Sequence, residues 1–245
     1  MNYLGQQILL VTFFLVILCV ACVGKEFNFE QYGDSVVIDL DVTEKVAKDF
    51  NLWLRMFRID YGDKKLLKIY LDSRGGDVIS AMKIGEAIRQ DPLNIVVVPE
   101  DGVCLSSCVL IYAAGTQRLV AGQIGVHRPY LSSSIGSDRE LIQKWYQSTK
   151  TKVEKYLEGM NVSGGLADVM FNTPPEYLKI LNRREQNAYG LTARDPVFEE
   201  QAAAEFMAQN GYGKKEYLRR KAHAEENCNG DALCMDKILN PKKYQ

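Results

Sequence analysis

Apolar and polar positions alternate along the chain in three regimes: one unbroken apolar run, then short strand-like and longer helix-like segments, then a polar helical tail. The run is Ile8 to Val23, "ILLVTFFLVILCVACV", uncharged and ended abruptly by Lys25-Glu26. Its length suits a signal-peptide core better than a full membrane span. Ala21 and Gly24 offer a cleavage region, while "MNYLGQQ" lacks the usual Lys or Arg and keeps an uncleaved anchor open. Cys22 is a weak lipoprotein-type site. Residues 1–24 are therefore expected to be a signal peptide or N-terminal membrane anchor. The expected location follows: exported, periplasmic or membrane-anchored and facing outside the cytoplasm.

Beyond the leader, "SVVIDLDV" (Ser35 to Val42) reads as a strand. Thr43 then caps a helix to Phe57, with Val46, Phe50, Leu54 and Phe57 at helical spacing. "KLLKIYLDS" is a second strand, ending in "SRGGD", and a helix follows with Val78, Met82, Ile84, Ala87 and Ile88 apolar. "NIVVVPE" is a third strand. "QRLVAG" and "IGVHRP" are two short strands around a Gly122 turn. A long charged helix covers Asp138 to Met160, and further helices run to "AYGL". This alternation predicts an α/β domain with a largely parallel sheet. We set it at residues 30–195, with a helical C-terminal appendage at 196–245 containing "EEQAAAEFMAQ" and "KKEYLRRKAHAEE".

Composition narrows the function classes. With a net charge of −1 there is no basic excess to neutralise phosphates, so no nucleic-acid partner is expected. Setting aside Cys19 and Cys22 in the leader leaves an even set, Cys104, Cys108, Cys228 and Cys234, in two close pairs. In an exported chain that arrangement reads as disulfides; in a cytoplasmic one it would be reduced structural cysteines.

The segment "GVCLSSCVLIYAAG" (Gly102 to Gly115) places Ser106 and Ser107 at the start of an apolar helix. There a hydroxyl meets the positive end of the helix dipole and unpaired N–H groups, which favour an oxyanion. A hydrolytic serine also needs a base, and the chain has two histidines. His223 lies on a charged helical face and reads as solvated. His127 ends an apolar strand, where a loop begins. The Gly75-Gly76 turn lets backbone N–H groups approach a ligand closely, and it lacks the Lys of a phosphate-binding loop. A metal site from Cys104, Cys108 and His127 has no fourth ligand at suitable spacing, so no metal or cofactor is expected.

Taken in order, Gly75-Gly76 after a strand, Ser106 before a helix ending in "AAG", and "GVHRP" on a later strand resemble the Clp protease proteolytic subunit family. That family carries "SPGG", "GQAASMGA" and "IHQP" in the same sequence. The likeness is clear over Ser35 to Pro129 and fainter to "NAYGL", which is similar to the family's "EYGL" turn. It looks closest to the exported, Clp-like branch, in which cysteines frame the serine. The resemblance implies a ClpP/crotonase-type fold of stacked ββα units. It implies Ser106 as nucleophile, His127 as base, and the N–H groups of Gly76 and Ser107 as the oxyanion hole. A Cys104–Cys108 bridge would pin the turn that carries Ser106, residues four apart being within disulfide reach. Two departures stand out. The family's proline before the glycines is Arg74 here, and its acidic triad position falls on Leu178. Glu176, two residues away, is the expected orienting acid, with Asp195 next. A Ser-Lys arrangement would need a lysine, and no local pattern selects Lys179 or Lys144.

The expectation is an extracytoplasmic serine peptidase acting on short or unfolded polypeptides. Self-association is the expected state, with membrane attachment through residues 1–24 left open. Two other readings stay open: a catalytically inactive binding or scaffold protein of the same fold, and a crotonase-type acyl-CoA enzyme.

Overall fold

The computed structural model describes residues 31–32, 34–62, 65–91, 93–131, 138–192, 195–229 and 231–244. The leader lies outside them. Two short strands open the fold, β1 (Gln31–Tyr32) and β2 (Ser35–Ile38), followed by α1 (Glu44–Tyr61), β3 (Leu67–Leu71) and α2 (Val78–Gln90). Next come β4 (Asn94–Val98), β5 (Val103–Leu105), α3 (Cys108–Ala113), β6 (Gln117–Val120) and β7 (Gln123–Val126). The chain continues through α4 (Arg139–Gly159), α5 (Gly165–Asn172), β8 (Lys179–Ile180) and α6 (Arg183–Ala188). It ends with α7 (Pro196–Asn210), α8 (Lys214–Cys228), α9 (Ala232–Leu239) and a 3₁₀ turn at Pro241–Tyr244.

Local chemistry accounts for the main elements. The Thr43 hydroxyl accepts the Val46 N–H at 3.2 Å and starts α1, whose Phe50, Trp53, Leu54 and Phe57 are buried at helical spacing. Asp77 does the same for α2, accepting the Ser80 N–H at 2.7 Å. In β3 and β4 the buried and half-buried positions alternate strictly, as a pleated strand requires. The expected strand from Ser35 to Val42 is shorter than its pattern suggested. It ends at Ile38, and Val42 instead makes an isolated bridge to Gly76.

The main sheet has five strands in the order β1-β2-β3-β4-β6, parallel from β2 to β6, with β1 antiparallel at the edge. A second sheet has the order β5-β7-β8, in which β5 and β7 run parallel and β8 antiparallel. The architecture is thus α/β with a largely parallel sheet and a helical C-terminal region. Helix α2 packs against both α1 and α3, and α4 packs against α5.

Helix α3 lies at the centre. All six of its side chains are fully buried. Two phenols reach in to fix it: Tyr156 on α4 donates to the Leu110 carbonyl at 2.8 Å, and Tyr112 donates to the Leu191 carbonyl at 3.0 Å. Burial pushes both phenols far above their ordinary pKa, so they stay neutral donors. In the C-terminal region α8 and α9 pack on each other and are joined by a Cys228–Cys234 disulfide.

Candidate active site

The Ser106 turn is built at the junction of the second sheet and α3. Strand β5 pairs with β7, and the Ser106 N–H continues that ladder by donating to the Gly125 carbonyl at 2.8 Å. The backbone then turns sharply. Ser106 has φ 57°, a left-handed conformation that costs a non-glycine residue about 1 kcal/mol or more. Such strain persists only where the surroundings enforce it, and here a Cys104–Cys108 disulfide with Cα atoms 5.2 Å apart spans the turn. The bridge also removes both sulfurs as metal ligands for His127. Ser106 is 9% exposed, Ser107 fully buried. Helix α3 is only six residues long and begins two positions after Ser106. The macrodipole expected from the sequence is therefore small, and individual amides matter more.

Gly75 and Gly76 supply the facing wall. The Ser73 hydroxyl donates to the Leu40 carbonyl at 2.6 Å and accepts the Gly75 N–H at 3.1 Å. Val42 then brackets the turn, donating to the Gly75 carbonyl at 2.8 Å and accepting the Asp77 N–H at 2.7 Å. A Cβ on Gly75 (φ 95°) would stand 2.5 Å from the Leu105 carbonyl oxygen and 2.9 Å from both Ser106 Cβ and Ser107 N. One on Gly76 (φ 148°) would stand 2.3 Å from the Val42 carbonyl oxygen. Only glycine fits at either position, and its use brings the turn against Ser106 and Ser107. Among the described residues, neither the Gly76 N–H nor the Ser107 N–H donates a hydrogen bond. Two amides that donate no hydrogen bond, near a left-handed serine, leave Gly76 and Ser107 as the candidate oxyanion donors.

His127 follows β7 directly. Its Nδ1 lies 2.9 Å from the Arg128 carbonyl oxygen, and its ring meets Tyr130 edge-on at 5.6 Å. The loop is held from behind by Arg128 N–H donating to the Thr173 carbonyl at 2.8 Å and by Tyr130 donating to the Pro175 carbonyl at 2.9 Å. With the ring proton on Nδ1, Nε2 is left as an acceptor. Gly75, Gly76, Ser106 and His127 all line one cleft of about 700 Å³. No hydrogen bond joins Ser106 to His127 in it; such bonds commonly tighten only when substrate arrives. A larger hollow of about 900 Å³ between α1 and α2 contains none of these four residues.

The other residues singled out from the sequence lie elsewhere. Glu176 sits on an exposed turn outside the cleft lining, and no hydrogen bond or ion pair joins it to His127 among the described residues. Asp195 is fully buried, ion-paired with Arg89 at 2.7 Å, bonded to Asn161 at 2.9 Å, and caps α7. Lys144 pairs with Glu140 and Lys179 with Glu185. His223 is exposed on α8. One group escaped the sequence reading: α4 contributes a wall of the cleft, including Trp145 and Lys152.

Comparison with known proteins bears on the family and the fold. The family model described as Clp protease matches residues 32–169. Among solved structures, a ClpP1 point mutant from Listeria monocytogenes is similar, at 19% identity and a TM-score of 0.51, over 65% of this chain and 88% of that one. That likeness speaks for the fold alone. No curated protein matches.

Proposed function

The chain belongs to the Clp protease family, and from that premise we propose that it is a serine peptidase with Ser106 as nucleophile and His127 as base. Membership itself supports a peptidase-type function. The observation that carries the finer reading is the left-handed Ser106, set against the Gly75-Gly76 turn in the cleft that His127 also lines.

In the proposed reaction, Ser106 Oγ attacks the scissile carbonyl carbon while its proton passes to His127 Nε2. The carbonyl π pair moves onto oxygen, where the Gly76 and Ser107 N–H groups receive it. Collapse breaks the C–N bond, and the imidazolium gives its proton to the departing amine. The remaining acyl-enzyme ester is attacked by water, which passes a proton to His127. A second collapse frees the new carboxyl terminus and returns the proton to Ser106. Removing one oxyanion donor typically raises such a barrier by about 3 kcal/mol. The orienting function in this scheme falls to the Arg128 carbonyl rather than to Glu176.

We place the enzyme outside the cytoplasm. The apolar run at Ile8 to Val23 and the two disulfides support that location. Substrates there are short or already unfolded polypeptides, and self-association is proposed from the family. Fractionation of cells that express the full chain tests the location.

A fluorophosphonate probe tests the chemistry. It should label the purified protein at Ser106, and Ser106→Ala should abolish labelling and peptide hydrolysis together. An unlabelled Ser106 in folded protein favours the second reading, a binding protein of the same fold. The missing Ser106–His127 hydrogen bond and the exposed Glu176 are the observations on that side.

A further inference from the structure

We infer that Lys152 reads a carboxylate on the polypeptide that enters the cleft, so that acidic peptides are the preferred substrate class. The inference rests on the cleft being the peptide site proposed above.

Charge pairing on α4 and position at the cleft together single this lysine out. Lys144 is held by Glu140 at 2.8 Å, and Lys150 by Glu154 at 3.2 Å and Asp168 at 2.6 Å. Lys155 is in no ion pair among the described residues either, but it does not line the cleft. The residues three and four positions from Lys152 are Ser148, Thr149, Lys155 and Tyr156, none of them acidic. Among the described residues no ion pair engages Lys152, yet it is the α4 lysine that lines the cleft with Ser106 and His127. A long cationic side chain is thus left without an ion pair in the same cleft as the candidate nucleophile.

Its surroundings decide what it would take. The same helix also contributes Trp145, Ser148 and Thr149 to the lining, and the loop after β7 contributes Pro129 and Tyr130; none of these carries a carboxylate. The acids of the cleft are Asp41, on the connection between β2 and α1, and Asp77, at the glycine turn where Arg74 also stands. Asp77 is already used there as the cap of α2. An ammonium with no ion pair, in a cleft whose acids come from other segments, favours an anionic group on the incoming peptide. Two sources carry that chemistry: the side chain of Glu or Asp near the scissile bond, and the α-carboxylate of a chain end.

The test uses the full chain and four fluorogenic peptides that differ only near the scissile bond. Three are C-terminally amidated and carry Glu, Gln or Lys; the fourth carries Gln and a free terminal carboxylate. The wild type should favour the Glu peptide or the free-carboxylate peptide over the neutral one by about tenfold in kcat/KM, with rising salt eroding the preference. Whichever of the two leads identifies the source. Lys152→Gln should remove the preference, and Lys152→Glu should reverse it toward the Lys peptide. Equal ratios in wild type and variants overturn the inference, as does a parallel fall on all four peptides. Anisotropy of the same peptides on Ser106→Ala separates this from the hydrolase reading. Lys152-dependent binding without any wild-type turnover upholds the carboxylate site and sinks the peptidase. Turnover indifferent to charge does the opposite, and neither binding nor turnover sinks both.

Discussion

The Nδ1 atom of His127 lies 2.9 Å from the carbonyl oxygen of Arg128, its own neighbour in the chain. A peptide carbonyl therefore occupies the place at the ring that a carboxylate fills in a Ser-His-Asp triad. It fixes the ring and the tautomer without adding a charge, so the imidazolium of the proposed reaction would gain less stabilisation than a carboxylate gives. The measurable consequence is the tautomer. Nitrogen-15 NMR of the neutral protein should show His127 protonated at Nδ1, the second histidine being removed as His223→Gln. The same spectrum is expected from Glu176→Gln. A ring protonated at Nε2 would contradict the arrangement.

Substitution at the glycine turn should separate packing from catalysis. Gly76→Ala places a methyl group 2.3 Å from the Val42 carbonyl oxygen at φ 148°. The turn must move, and the candidate oxyanion amide moves with it. We expect thermal stability to fall by roughly 1–3 kcal/mol. Fluorophosphonate labelling should slow by about a hundredfold or more, well beyond what that loss of fold explains. Calorimetry and labelling rates on one preparation check both.

The two disulfides should differ in their response to reductant. Cys104 and Cys108 are fully buried, whereas Cys228 is 5% exposed and Cys234 is half-buried near the chain end. Thiol-disulfide exchange requires access to a sulfur atom. Under mild reductant, mass spectrometry with alkylation should find Cys228 and Cys234 modified first, with Cys104–Cys108 intact until the protein unfolds. Replacing Cys104 and Cys108 together by Ala should cost about 2 kcal/mol, the scale for so small a loop, and should slow labelling of Ser106.

Acid should weaken the join between α7 and the core. Burial of Asp195 pushes its carboxyl up, but the Asn161 hydrogen bond and the Arg89 guanidinium outweigh it and hold the carboxyl below the ordinary range. A carboxyl lowered on folding contributes stability in full above its unfolded value of about 3.9. That contribution is lost as pH falls through the lower, folded value. Urea unfolding from pH 6 to 2 should show the loss, and Asp195→Asn should flatten it. That variant leaves the Arg89 charge without its buried partner and should cost about 3 kcal/mol at neutral pH.

Much of this layout could be read from local pattern. Thr43 caps α1 as expected from the sequence, and Asp138, expected only as the start of the long helix, proves to be its cap, because short polar side chains can reach N–H groups two or three positions on. The order of Gly75-Gly76, Ser106 and His127 was legible because glycine, serine and histidine keep their chemical meaning whatever surrounds them. Strands β5 and β8 were not. With three and two residues respectively, they are too short to display a period, and both pair with β7, which is remote from them along the chain and is brought alongside only by the tertiary fold. The orienting group at His127 left no side-chain mark to find, because a backbone carbonyl is present at every position. Lys152 became visible only when α4 was seen to wall the cleft, although its lack of an acidic helical neighbour was in the sequence throughout.

The two phenols that hold α3 give the site a timetable. Ser106 stands at the head of a helix whose placement is anchored from Tyr156 and from the carbonyl of Leu191, long after it in the chain. A nascent polypeptide that has just passed its serine therefore carries an unfinished machine. The proposed nucleophile is therefore brought into position only when nearly all of the α/β body has emerged, so on that proposal a half-made molecule cannot act on its neighbours.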